Sequence, residues 1–506
     1  MNSAIKPLRV FVALIYLIGM VTLPGKTFAE TPVFSLDFQA GLDWRVSSSA
    51  ELVEQTKIKN GIDLMREYFD RTPLARLGME YGASQGFSVA IEATIRREWD
   101  GDWFKTSNMF SSSAGNPVAV ENLFLTRGVA EWTSPGIHIG FGREKPDYGR
   151  GLEGSLLPSK RLPYLDAFRF DGALGRTEFN LLIASIPARK AWGAYVDSDL
   201  DIDPNAGLAS ELDPDEYKPY GFEGDQNPTT VLFGMHRIGW DWGEFSLGVT
   251  EQVMMARRNN RFYLTDFFPI VSWHQTGIYQ TNNSMVFDAA WNPAAGLRIM
   301  AQAGFDDING GSIGIGDTGA PTIDAYVAGL SWKTRLPAAA IASRTVDFSL
   351  YAEAGYTHWL WGNYSGTSNW PKDENPLMRF QYRLAADGGG LLLPLTSAYG
   401  PGAIWSELRV HLSDPKGKLS AGFEFLFLAK NPEANLIDTT YTATDEAATT
   451  PYVLFMEAGL PLRMEWLGFE MGLRPALVWR EGNTQGKVDV MAVWRYKIKQ
   501  KGKMTE

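Results

Sequence analysis

The densest run of chemically competent side chains is acidic. Asp197, Asp199, Asp201 and Asp203 alternate along one stretch, and Glu211, Asp213, Asp215 and Glu216 follow closely. Carboxylates gathered in this way can coordinate a hard cation such as Ca2+. The stretch lacks the glycine that turns an EF-hand loop at its sixth position, so a solvated acidic loop over residues 197–216 is the expected reading. His138, His236, His274, His358 and His411 are the available general bases, and a hydrolase would need one of them within reach of a serine and an acid. Their spacing singles none out. Residues 310–319 contain both G-x-S-x-G and G-x-G-x-x-G, but between two amphipathic strands rather than in the strand–turn–helix setting that gives either motif its mechanism. With no cysteine there is no thiolate chemistry or cysteine metal site. Neither catalysis nor a cofactor nor a metal is expected.

The elements that would position such residues are strands. Phe34, Leu36, Phe38, Ala40, Leu42, Trp44 and Val46 alternate with Ser35, Asp37, Gln39, Gly41, Asp43 and Arg45. Successive strand side chains point to opposite faces, so this stretch has one apolar and one polar face. The pattern recurs in hairpins turning at Ser84–Gly86, Ser134–Gly136, Asn292–Gly296 and Ser413–Gly417, and in a last strand carrying Val488, Val490, Ala492, Trp494, Tyr496 and Ile498. Short turns alternate with long polar connections over 97–117, 187–228, 306–321, 361–376 and 429–450. Strands of about 9–11 residues predict an all-β, antiparallel transmembrane barrel of about 18 strands, within 16–20. An extra strand around Leu391–Leu395 is expected to bring the long connections to one side. Residues 51–69, with Leu52, Ile58, Ile62, Leu64, Met65 and Phe69, fit a short helix or an excursion.

The start of the chain reads as an export signal over residues 1–29. Lys6 and Arg9 precede an uncharged apolar run from Val10 to Leu23, and Thr27-Phe28-Ala29 gives a cleavage pattern. That run of 14 residues is short of the ~20 a spanning helix needs. Residues 30–506 then form one barrel domain in the outer membrane of a Gram-negative-type bacterium. The formal charge is −11, and losing the three cations Lys6, Arg9 and Lys26 takes it to −14. Such a chain repels phosphates, which excludes nucleic acid as a partner. The 17 Trp, 19 Tyr and 28 Phe at negative mean hydropathy suit aromatic girdles around a polar lumen in outer-membrane lipid.

The polar strand faces define the candidate site. Arg76, Glu80, Glu92, Arg96, His138, Arg143, Arg298, Arg379, Arg383, Glu407, Arg409, Glu424, Asp489 and Arg495 are expected to line the lumen, and His411 shares such a face. Facing charges of both signs would set the selectivity of a porin-like channel for small hydrophilic or saccharide solutes. Alternatively they pair across a plugged interior. Trp359, Trp361, Tyr364 and Trp370 are candidates to stack on sugar rings, or to join the interface girdle.

One region carries a family resemblance. Gly142-Arg143, Asp147-Tyr148-Gly149-Arg150-Gly151, Gly154-Ser155-Leu156-Leu157-Pro158-Ser159, Leu162-Pro163 and Asp171 resemble the Wzi-type capsule assembly proteins. Gly234-Met235-His236-Arg237, Gly248–Gln252, Asn282–Met285, Asp288, Pro293, Gln302 and Asp306-Asp307 extend it over about residues 140–310. The resemblance implies an 18-stranded outer-membrane barrel with a helical element and a surface that binds capsular polysaccharide.

Overall fold

A computed structural model describes residues 33–48, 72–83, 85–95, 124–186, 229–258, 281–308, 321–338, 344–363, 379–383, 392–434, 436, 448 and 450–501. The expected signal at 1–29, the helix at 51–69, the acidic loop at 197–216 and the glycine-rich stretch at 310–319 lie outside the described residues.

Alternation decides the fold. On β1 (Val33–Ser47), Leu42, Trp44 and Val46 are about 60% exposed on one face, while Ser35 and Gln39 are buried on the other. The same split runs through β2 (Ala75–Gly82) and β3 (Gly86–Ile95), where Leu77, Tyr81, Phe87 and Ile91 point outward. The antiparallel wall continues through β4 (Phe124–Ser134), β5 (Ile137–Glu144), β6 (Leu165–Leu174), β7 (Thr177–Ile186), β8 (Thr229–Asp241), β9 (Phe245–Arg258), β10 (Thr281–Ala294), β11 (Leu297–Asp307), β12 (Ile323–Ala338) and β13 (Arg344–Thr357). After the ribbon β14 (Gln381–Arg383) and β15 (Leu392–Pro394), it resumes with β16 (Ala403–Ser413) and β17 (Leu419–Lys430), then β18 (Val453–Gly459), β19 (Leu462–Trp466), β20 (Phe469–Arg480) and β21 (Asn483–Lys501).

Pairing of β21 with β1, from Val33 opposite Lys501 to Ser47 opposite Lys487, closes the barrel and leaves the sheet no free edge. β18 and β19 both pair with β17 and with β20, so they are halves of one stave broken at Leu460-Pro461, where proline has no amide hydrogen for the ladder. The wall therefore has 18 staves. Trp242, Trp291, Trp466, Tyr81 and Tyr496 face outward near the short-turn end. An exterior this apolar on a closed barrel is suited to lipid.

The long connections all leave from one end of the barrel, with no extra stave required. The expected strand at Leu391–Leu395 does form as β15, yet it pairs with β14 and not with the wall. The reason is burial: Phe380, Tyr382, Leu393 and Leu395 are at most 2% exposed and sit in a hydrophobic core inside the barrel.

That core is the main departure from an open lumen. Residues 145–164, between β5 and β6, and the described residues 358–363, 379–383 and 392–402, between β13 and β16, fold into the barrel. There Leu152, Leu156, Leu157, Leu162, Tyr164, Leu360, Trp361 and Tyr399 pack together. They meet inward apolar side chains of the wall, among them Leu182, Ala184 and Ile186 of β7, Val231, Phe233 and Met235 of β8, and Leu426 and Leu428 of β17. Close packing of this kind resists displacement, since each well-buried aliphatic or aromatic side chain contributes ~1.5–3 kcal/mol.

Candidate functional site: the plug clasp and the charged passage

The inserted segments, here called the plug, are held in part by three polar clasps on residues 150–156. In the first, Glu353 of β13 is 4% exposed and its carboxylate accepts from the amides of Glu153 (2.7 Å) and Gly154 (2.8 Å), from Trp405 Nε1 (2.7 Å) and from Tyr351 Oη (2.5 Å). A buried carboxylate is tolerated when its lone pairs are met by donors, and here four donors meet it. The closeness depends on glycine: a Cβ at Gly154 would lie 2.5 Å from the Trp405 ring, and one at Gly355 2.2 Å from it. Gly355→Val is therefore expected to force Trp405 off Glu353 and destabilise the plug by about 1–3 kcal/mol, read as a lower urea midpoint for loss of near-UV tryptophan signal.

The second clasp uses amides. Gln302 Oε1 of β11 accepts from Leu156 N (2.8 Å) and Ser155 Oγ (3.1 Å), while Gln252 Nε2 of β9 donates to Leu156 O (3.0 Å). Two wall glutamines thus complete the backbone of Leu156, itself fully buried.

The third clasp is ionic. Arg237 of β8, 3% exposed, forks onto Asp288 of β10 through Nε (2.9 Å) and Nη2 (3.0 Å), and reaches Glu178 (3.2 Å) with Nη1. Arg150 of the plug shares Asp288 at 3.1 Å and Glu178 at 3.4 Å. Gly239 and Gly248 leave the lane in which the guanidinium lies, since a Cβ would come within 2.4 Å and 2.2 Å of it.

Beside the plug a cavity of about 590 Å3 remains against the wall of β16–β21 and β1. Its charged lining combines Lys145, Lys160, Arg161, Arg409, Arg463, Arg474 and Lys487 with Asp43, Glu153, Glu407, Glu424, Glu457 and Asp489. Glu153 on the plug pairs with Arg161 and, at 3.1 Å, with Arg409, which also holds Glu407. Burial works to raise the Glu153 carboxyl, but the guanidiniums of Arg161 and Arg409 outweigh it and hold the group below its ordinary value of 4.5. A depressed folded value means the stabilisation is present above the ordinary pKa and lost as pH falls through the depressed one. Hydrogen exchange of the 152–157 amides, corrected for intrinsic rate, is expected to be flat from pH 7 to about 5 and to accelerate below about 4. Flat exchange down to about pH 3 would refute the role of this pair.

The expected lumen residues on the wall strands lie mostly in ion pairs. Arg76 pairs with Glu92 (2.6 Å), Glu80 with Arg127 (2.9 Å), Glu424 with Arg474 (2.8 Å) and Arg495 with Glu470 (3.0 Å). Arg143 forks onto Asp166 at 2.6 and 2.7 Å and lies over the Tyr164 ring. His138 sits between Asp171 and Glu131, 3.2 Å from each, and His411 lies 3.7 Å from Glu424. Arg298 lies partly buried on the inner face of β11. Asp489 lies 3.7 Å from Arg474.

Two expectations change. Arg383 ends the inserted strand β14 and Arg379 lies just before it, neither on a wall stave, and Arg379 is 1% exposed in the plug core. Trp361 is not an exposed stacking platform: it is 1% exposed, and its Nε1 donates to Thr396 Oγ1 at 3.0 Å within the plug. Trp359 is half-buried against the same core. Arg96, Tyr364 and Trp370 lie outside the described residues.

Polar-face periodicity missed Glu353, Gln252, Gln302 and Asp288 as plug ligands, because nothing in a strand pattern says what the lumen contains. A usable signal was nevertheless present. The upper parts of β7 (Leu181-Leu182-Ile183) and β8 (Val231-Leu232-Phe233) are apolar on both faces, the mark of a strand covered on both sides.

These features define a closed β-barrel with an apolar exterior, inside which described parts of two connections pack beside a cavity lined by charges of both signs. No family model matches the sequence, and no curated protein matches it. Among solved structures, OccAB4 of Acinetobacter baumannii is similar at 8% identity and a TM-score of 0.42, covering 93% of this chain and 99% of that one. OccK5 (OpdH) and OccK9 (OpdG) of Pseudomonas aeruginosa are each 9% identical, with TM-scores of 0.40 and 0.43, covering 94% of this chain and all of theirs.

Proposed function

We propose that the chain is a non-enzymatic, porin-like channel of a Gram-negative-type outer membrane that passes small hydrophilic or saccharide solutes along the passage beside the plug. The observation that carries this reading is the cavity itself. It is water-accessible and lined by charges of both signs, inside a barrel whose exterior suits lipid. Purified protein in planar bilayers is expected to give discrete current steps smaller than those of an open barrel of 18 staves. A folded, heat-modifiable barrel that never conducts would sink the proposal.

A second reading, a surface lectin of the Wzi type, is favoured by a different observation. The residues carrying that resemblance converge in space: Arg150, Ser155 and Leu156 of the plug meet Arg237, Gln252, Asp288 and Gln302 of the wall. Binding to a capsular glycan array without conductance would support this reading over the channel. Conductance without glycan binding would discard it.

A further inference from the structure

The charged side chains around the cavity are engaged with partners, with one exception. Arg161 and Arg409 hold Glu153, Arg409 also holds Glu407, Arg474 and Lys487 hold Glu457, and Arg463 lies 3.5 Å from Glu470. Glu424 and Asp489 both meet Arg474, Asp43 accepts from the Thr72 amide, and Lys145 has partners of its own. Lys160 is the exception. Among the described residues it makes neither an ion pair nor a hydrogen bond, and it is exposed where the plug borders the cavity.

The local backbone explains this placement. Ser159 to Leu162 form a turn in which Leu162 N donates to Ser159 O at 2.9 Å and Arg161 N donates to Ser159 Oγ at 3.3 Å. On the preceding side Tyr148 N donates to Pro158 O at 2.9 Å. Leu157 and Leu162, on either flank, are 1% and 3% exposed in the core. The turn is thus anchored on both sides. Arg161 turns back onto Glu153, and Lys160, at the crest, lines the cavity. Its charge also acts on Glu153 at longer range, but Glu153 is already bonded to Arg161 and Arg409.

A bonded pair presents a passing ion with opposite charges a few ångströms apart, and their fields largely cancel. An unpaired charge acts over a Debye length, about 10 Å at 0.1 M salt. A mobile anion can approach Lys160 without breaking an existing pair, whereas a mobile cation finds each lining carboxylate already met by a donor.

Resting on the channel reading, we propose that Lys160 is the specificity-determining residue of the passage and makes it select small monovalent anions over cations. It does so as the one unpaired charge among the described lining residues, held at a fixed place by the plug and not by the wall.

The test is the reversal potential across a planar bilayer in a KCl gradient centred near about 0.1 M, where the Debye length reaches across the cavity. The wild-type channel is expected to show a chloride-to-potassium permeability ratio of about three, falling towards one near about 1 M salt as screening shortens to about 3 Å. Lys160→Gln is expected to bring the low-salt ratio to about one, Lys160→Glu to invert it to about one third, and Lys160→Arg to keep the wild-type value. Because Lys160 is exposed and bonds to nothing described, each variant is expected to give the heat-modifiable barrel. Should a variant fail to give it, the wild-type ratio still decides. Conductance with a wild-type ratio at or below one, or with a ratio that Lys160→Glu leaves unmoved, overturns this inference alone. Absence of any conductance in the wild type overturns the channel reading, and this inference with it.

Discussion

Glu353→Ala is expected to release residues 152–157 from the barrel wall while the barrel stays closed. The substitution removes the common acceptor of the Glu153 and Gly154 amides, Trp405 Nε1 and Tyr351 Oη. Each buried donor left without an acceptor costs ~1–3 kcal/mol, so the loss reaches roughly 4 kcal/mol or more even with partial relaxation. The effect is local because the strand ladder does not run through this side chain: β13 pairs through its backbone with β12 over its whole length and with β16 from Asp347 to Thr357. Hydrogen exchange at 152–157 should accelerate by two or more orders of magnitude, at about 1.4 kcal/mol per tenfold, while the amides of β1 and β21 keep their protection. Single-channel current should rise as the plug yields space. Glu353→Gln, which can still accept on one oxygen, should fall between. Unchanged exchange at 152–157 in the alanine variant would remove Glu353 from this role.

The second large effect concerns Asp288. Its side chain is 1% exposed and carries the guanidiniums of both Arg237 and Arg150. Removing one partner of a buried pair leaves an uncompensated charge in a poorly solvated site, at a cost of about 3–5 kcal/mol. Asp288→Ala is expected to lower the temperature at which the compact, heat-modifiable form is lost, and to expose plug residues to protease. The paired replacement Arg237→Met with Asp288→Leu should recover part of the loss, because it removes one stranded guanidinium with its partner while Arg150 keeps Glu178. If the double variant is as unstable as the single one, the Arg237–Asp288 pair is not the source of the cost.

Much of the barrel was legible because a stave in lipid obeys a strict rule. One face must be apolar, every backbone group must pair, and the side-chain period is two, so Phe34–Val46 and Val488–Ile498 read directly as wall strands. The structure pairs those two segments and closes the barrel with them. The stave count was also accessible, since short turns and long connections alternate. The strand expected around Leu391–Leu395 forms as β15 but pairs with β14 inside the barrel, because composition cannot say whether a strand pairs with the wall or with a neighbour within it.

The sequence by itself determined which faces look to lipid and which look inward, because hydrogen-bond closure and apolar solvation act residue by residue along each strand. It placed Arg76, Glu80, Glu92, His138, Arg143, Glu407, Arg409 and Glu424 on the inner face for that reason. The tertiary structure alone decided that described parts of two connections pack inside the barrel and that Glu353, Gln302 and Asp288 hold residues 150–156 there. It also decided that the open space lies beside Arg474. Those contacts join residues up to about 200 positions apart, as between Glu153 and Glu353, and a local period carries no information about which distant segment will occupy a cavity.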